Sequence, residues 1–260
     1  MQTRSLVRKF VGLVLAGATI GCAASGPIQP RPASAKSTYI VELPGMSGWT
    51  HVNERCLRGL AEGGVSDHIE IYDYTKPYWL IGAVRAWDHN RAAARYIADC
   101  IAAKLREDPA ARIILVSWST GSAVTLWTLE DLPPGMQVQS ILMIQPCVDP
   151  AHDLRPALSH VRGHAFALES CGDVFALGVG TWIVGAADGG GHTPAAGMIG
   201  FRRPKDANPS DYAKLVEMPY QIAWLRFGDF GDHVGQMNRS LSREVLAPML
   251  IKDAAVASGR

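Results

Sequence analysis

"LVSWSTGSAV", residues 115–124, changes character in its middle. Up to Trp118 the run "RIILVSW" is apolar and β-branched with no regular polar alternation, the pattern of a strand covered on both faces. Beyond Thr120, "TGSAVTLWTLEDL" reads as a helix stopped by Pro133 and Pro134. Ser119 stands at the junction, where a strand runs almost directly into a helix. That junction sets the terms for the rest of the chain, because strands that alternate with helices return in parallel and need a crossover each time.

Working outward, the same alternation recurs. "STYIVELPG" is a strand at Thr38–Leu43 closed by Pro44 and Gly45, and "HVNERCLRGLAEGG" places Val52, Cys56, Leu57 and Leu60 at helical spacing. "DHIEIYDYT" predicts a second strand, "WDHNRAAARYIADCIAAKLRED" a long helix ended before Pro109, and "VQSILMIQP" the strand after the junction. "HDLRPALSHV" predicts a short helix, "HAFALES" a fifth strand, "AKLVEMP" a sixth, and "SREVLAPMLIKD" a closing helix despite Pro248. Between the last two strands lies a glycine-rich stretch, residues 172–200, that is long for a connection without structure of its own. The expectation is an α/β fold: a mostly parallel sheet of about six strands with helices on both faces. It occupies residues 37–260, without internal repeats or a second domain.

The first 22 residues read as an export signal, with Arg4, Arg8 and Lys9 ahead of the apolar core "FVGLVLAGATI", which is too short to span a membrane. Gly21-Cys22 resembles the bacterial lipobox, with Thr19 where that pattern prefers leucine, so Cys22 is the expected lipidation site. Cleavage at the small residues near Ala24 is the alternative. Residues 23–36, rich in Pro, Ser and Ala, read as a tether. The protein is therefore expected outside the cytoplasm, held to a membrane by lipid if the lipobox is used.

The formal net charge of +1 conceals an asymmetry, since five of the 25 basic residues precede Ser37 and none of the 24 acidic ones does. The remainder carries a net charge of −4 with no basic cluster, which argues against a nucleic-acid partner. Four cysteines follow Cys22, namely Cys56, Cys100, Cys147 and Cys171, and no CxxC occurs, which gives no support to a zinc ribbon or redox pair. "GVGTWIVG" lacks the spacing and the strand-to-helix setting of a dinucleotide loop, so no cofactor is expected. His160 and His164 have HxxxH spacing without the glutamate of a zincin helix, and no metal is expected.

In a parallel sheet the functional groups gather at the carboxyl ends of the strands, which is where Ser119 falls. Ser117-Trp118-Ser119-Thr120-Gly121 fits the nucleophile-elbow pattern G-x-S-x-G except that serine replaces the first glycine. The positions two before and two after must be small because strand and helix backbones converge there. Taken alone, the pentapeptide fits a helix N-cap serine equally well. With its place in the strand order added, the chain resembles the α/β-hydrolase superfamily, and its start at the strand bearing Pro44–Gly48 suits a compact, cutinase-like member.

The resemblance implies the following site. Ser119 is the nucleophile, Asp173 in "ESCGD" the acid and His233 in "FGDFGDHVGQM" the base, with Asp149 in "QPCVDP" the alternative acid. The loop "LPGMSG" takes the place of the family's HG-containing loop, so the amides of Met46 and Thr120 are the oxyanion donors. Trp49, Trp118 and Trp182 are expected to make an apolar acyl pocket, and His192 to line or shape the site; aromatic residues of this kind also serve simply as core. Cys147 and Cys171 follow the ends of strands that the family places side by side, so a disulfide between them would pin the loop of Asp173. The implied activity is cleavage of a carboxylic ester through an acyl-enzyme. An amidase, thioesterase or acyltransferase on the same residues, and a catalytically silent binding protein, are the rivals.

Overall fold

The computed structural model describes residues 38–66 and 68–257; the expected export signal, Cys22 and the tether lie outside them. Among the described residues, six strands form one sheet: β1 (Thr38–Leu43), β2 (His68–Ile71), β3 (Arg112–Trp118), β4 (Ser140–Ile144), β5 (Ala165–Leu168) and β6 (Leu215–Met218). Their order is β2-β1-β3-β4-β5-β6 and every pairing is parallel. The central strands β4 and β5 are buried at every position, whereas the edges β2 and β6 are not. That difference explains the near-continuous apolar runs in the middle of the sheet.

Alternate residues of each strand feed two separate cores. Ile113, Leu115, Ile141, Met143, Ala165 and Ala167 face one side, packed by α2 (Trp87–Glu107), α3 (Gly121–Glu130) and α4 (Arg155–Ser159). Ile40, Ile114, Val116, Leu142, Ile144 and Leu168 face the other, packed by α1 (His51–Glu62) and α5 (Ala247–Val256). Nine of the ten residues of helix α3 are buried, Ser122, Thr125 and Thr128 among them, which leaves the helix enclosed between the sheet and its neighbours. Pro248 comes just after a π-helical turn, Ser242–Leu246, at the point where that wider winding passes into α5.

The order in which strands are laid down across the sheet reverses at β1, since β1 leads outward to β2 and the next strand, β3, returns to its other side. A topological switch point therefore lies at the carboxyl ends of β1 and β3, the place where an open α/β sheet receives ligands. There the two backbones nearly touch: a Cβ on Gly121 would lie 2.2 Å from the carbonyl oxygen of Leu43. Gly121→Ala should therefore cost about 3 kcal/mol or more of stability, measured as a shift in the urea midpoint; an unshifted midpoint would mean that the junction is looser than this.

The glycine-rich stretch 172–200, expected as one long connection, is broken by three short helical turns at Val174–Gly180, Thr181–Val184 and Ala196–Ile199. It is fastened to the strand ends through Ala187 N–H to Cys147 O (3.0 Å), Ala196 N–H to Val148 O (2.8 Å) and Ser170 N–H to Gly197 O (2.7 Å). These bonds account for its ordered backbone despite the lack of apolar periodicity.

Candidate active site

Ser119 has φ +52°, a left-handed conformation that costs a residue with a side chain about 1–2 kcal/mol. Its backbone is gripped on both sides by the turn after β4, with Ser119 N–H donating to Ile144 O (2.9 Å) and Cys147 N–H donating to Ser119 O (3.1 Å). The strain is thereby held in place by neighbouring strands. Serine at 117, where the pattern has glycine, is fully buried, and its Oγ lies 3.2 Å from Ser122 Oγ in the first turn of α3. The extra hydroxyl is thus hydrogen-bonded, and burial leaves it no desolvation debt.

Asp173 follows β5 and is buried, with Oδ1 accepting from Ala176 N–H at 3.1 Å. Its Oδ2 lies in hydrogen-bonding contact with His233 Nδ1, and His233 Nε2 lies 3.1 Å from Ser119 Oγ. Serine, imidazole and carboxylate therefore form one continuous chain, drawn from the ends of β3 and β5 and from the loop after β6. In this orientation Nδ1–H donates to the carboxylate and Nε2 is free to accept from the hydroxyl. Asp149 stands apart from this chain: its Oδ1 accepts from Ala151 N–H (2.8 Å) and its Oδ2 from Gly191 N–H (2.5 Å), which occupies it in fastening the 172–200 stretch.

The loop after β1 lies over the nucleophile, close enough that a Cβ on Gly45 would be 3.5 Å from Ser119 Cβ. It is a tight turn, Gly48 N–H to Gly45 O at 2.9 Å, held from the β2 side by Leu80 N–H to Met46 O at 3.1 Å. Beneath it, Asn53 accepts from Thr50 and donates to the buried Glu42 (2.5 Å). Burial pushes the Glu42 carboxyl up to about 8. Among the described residues, neither the Met46 amide nor the Thr120 amide donates to a protein acceptor. Thr120 follows Ser119 directly and Met46 follows Gly45, and the hydroxyl of Thr120 is held by the buried phenol of Tyr74, Oγ1 to Oη 2.9 Å.

Other expected positions fall differently. Trp118 is only 6% exposed and packs in the core, its ring centroid 5.3 Å from that of His233, so it backs the histidine instead of walling an open acyl pocket. Trp49 and Trp182 are exposed. His192 turns back to its own segment, Nδ1 bonding the Trp182 carbonyl at 2.9 Å. Cys147 and Cys171 are free thiols, which corrects the expected disulfide. The Cys147 side chain is buried in the core, where burial pushes its thiol up to about 12, whereas Cys171 is exposed. Among the described residues, no cluster of three or more His, Cys, Asp or Glu could hold a metal, and no helix is long and apolar enough to cross a membrane.

The 172–200 stretch is also clamped by charge. His152 lies between Asp188 (Nδ1 to Oδ2, 2.8 Å) and Glu130 (Nε2 to Oε1, 2.9 Å). Burial opposes a charged ring, but Asp188 and then Glu130 outweigh it and lift the imidazole to about 9. A histidine pKa raised on folding stabilises fully below about 6.5, its unfolded value, and the contribution is lost as pH rises through about 9. The difference in melting temperature between the native protein and His152→Gln should be about 5 °C at pH 6 and should shrink by pH 10. A difference independent of pH would remove the charge from this clamp.

No family model and no curated protein sequence matches the chain. Among solved structures it is similar to lipase B of Aspergillus fumigatus, at 14% identity and a TM-score of 0.53, covering 88% of this chain and 57% of the lipase. The chain thus spans a little over half the length of that protein. It also matches a cutinase-like protein from Cryptococcus sp. (16% identity, 87% and 97% of the two chains, TM-score 0.38) and an acetylxylan esterase (12%, 86% and 99%, TM-score 0.41). The first likeness, with the parallel strand order, shows the fold: the chain has the α/β-hydrolase fold.

Proposed function

We propose that this protein of α/β-hydrolase fold is a serine hydrolase that cleaves carboxylic esters through an acyl-enzyme. The observation that carries the reading is the unbroken chain from Ser119 Oγ through His233 to Asp173. In the first half-reaction Ser119 Oγ attacks the ester carbonyl while His233 Nε2 takes its proton. Asp173 stabilises the resulting imidazolium and holds its tautomer, and the amides of Met46 and Thr120 receive the oxyanion. Collapse expels the alcohol, which takes the proton from His233; water then repeats the sequence on the acyl-enzyme and releases the acid.

An apolar acyl group is the favoured substrate part, because several large apolar side chains are exposed on the loops that follow the strand ends. Trp79 and Ile81 after β2, Phe175 and Trp182 after Asp173, and Ile222 and Phe230 after β6 are all exposed, Phe175 at 88%. From Val174 to Gly200 the only charged side chain is Asp188, which is buried against His152. A surface of this kind suits a lipid or other long acyl ester better than a charged or sugar-like one. The lipase, cutinase-like and esterase names of the structural neighbours agree with ester chemistry. For localisation, we propose an exported protein anchored through Cys22.

Labelling with a fluorophosphonate probe tests the reading. One probe per chain is expected, on the peptide bearing Ser119 by mass spectrometry. A folded protein that takes no label, or takes it elsewhere, overturns the hydrolase and leaves a binding protein.

A further inference from the structure

Three consecutive carbonyl oxygens of the loop that carries His233 are each held by a side chain from a different strand end. Gly231 O accepts from Ser170 Oγ, two residues past β5. Asp232 O accepts from Gln145 Nε2 at 2.6 Å, the first residue past β4. His233 O accepts from Trp118 Nε1 at 3.1 Å, the last residue of β3. The loop is also in direct contact with the acid's loop, since a Cβ on Gly172 would lie 2.6 Å from Gly231 O.

Gln145 is the costly member of the set. It is fully buried, its backbone is left-handed at φ +50°, and its Oε1 is buried with no hydrogen-bond partner among the described residues. Strained backbone and an unsatisfied polar atom each lower stability, and both persist only where the surroundings enforce them. Its neighbours Ile144 and Cys147 are the residues that hold the Ser119 main chain. One turn thus holds the nucleophile by its backbone and the base loop by the Gln145 side chain.

We propose that Gln145 is a positioning residue that sets the separation of Ser119 and His233. The inference rests on the hydrolase reading given above. An apolar residue at 145 would leave the Asp232 carbonyl without its donor and free the loop to shift, and a displacement of about 1 Å in such a pair costs about a hundredfold in rate. Substrate contacts are unchanged, so the loss falls on kcat.

The test compares the native protein with Gln145→Met, which keeps length and volume without a donor, and with Gln145→Gly, which accepts the left-handed backbone without strain but has no amide. Trp118→Phe, which keeps the ring behind His233 and removes its donor, serves as a third variant. For folded variants, the rate of fluorophosphonate labelling and kcat on a soluble acyl ester should fall about ten- to a hundredfold with KM nearly unchanged. A Gln145→Gly protein that labels and turns over at the native rate overturns the inference, as does a fall seen wholly in KM. If the native protein itself takes no label, the hydrolase reading fails first; native labelling with unaffected variants sinks the positioning role alone.

Discussion

Ser119→Ala should lower ester turnover by about 10⁴- to 10⁶-fold while leaving the protein folded. The loss is that large because the remaining groups have nothing to activate: His233 has no hydroxyl to deprotonate, and no acyl-enzyme can form. Ser119→Gly should be equally inactive, yet more stable than Ser119→Ala by about 1 kcal/mol, because φ +52° costs a Cβ-bearing residue and costs glycine little. Steady-state kinetics and urea unfolding on the two variants separate chemistry from backbone strain. Turnover retained in Ser119→Ala would move the nucleophile to another residue.

Asp173→Asn carries the second-largest expected effect, a fall in kcat of about 10⁴-fold. An amide at this position can donate to Nδ1, which favours the tautomer with its proton on Nε2, facing Ser119. It also removes the negative charge that supports the imidazolium. Asp149→Asn is the informative control, since its carboxylate is occupied by the amides of Ala151 and Gly191. It should lower the melting temperature and leave kcat close to the native value. The reverse pattern, with Asp149→Asn silent and Asp173→Asn active, would reassign the acid.

Much of this arrangement could be read from residue order alone, and the reason is physical. Buried parallel strands such as "RIILVSW" and "VQSILMIQP" need apolar residues on both faces, and the helices between them must end in turn residues. The junction at Ser119 needed a glycine at 121, whose neighbour is the Leu43 carbonyl. The serine at 117 looked like a departure, and its resolution was out of view, because Ser122 Oγ is brought to it only by the first turn of α3. Gln145, Ser170 and Tyr74 were likewise not legible as site residues. Each acts through one hydrogen bond to a group far along the chain, and no periodicity or short spacing records such a bond. Trp118 was legible as a large aromatic beside the nucleophile, but which face of the sheet it joined decided its role. The expected Cys147–Cys171 bridge failed for the same reason: strand order brings two loops together without fixing where their side chains point.

The all-parallel sheet has a consequence for how the molecule comes into being. No two of its neighbouring strands are joined by a hairpin, and Thr38 at the start of β1 must find Arg112 before β3 can be seated. Every ladder therefore closes a long loop of chain before it gains any pairing, which makes refolding slow and leaves unpaired strand edges exposed while it proceeds. The groups around Ser119 are contributed by β3, β5 and the loop beyond β6, so they meet only after the last crossover has docked. Recovery of probe labelling on dilution from urea should lag behind recovery of helical circular dichroism.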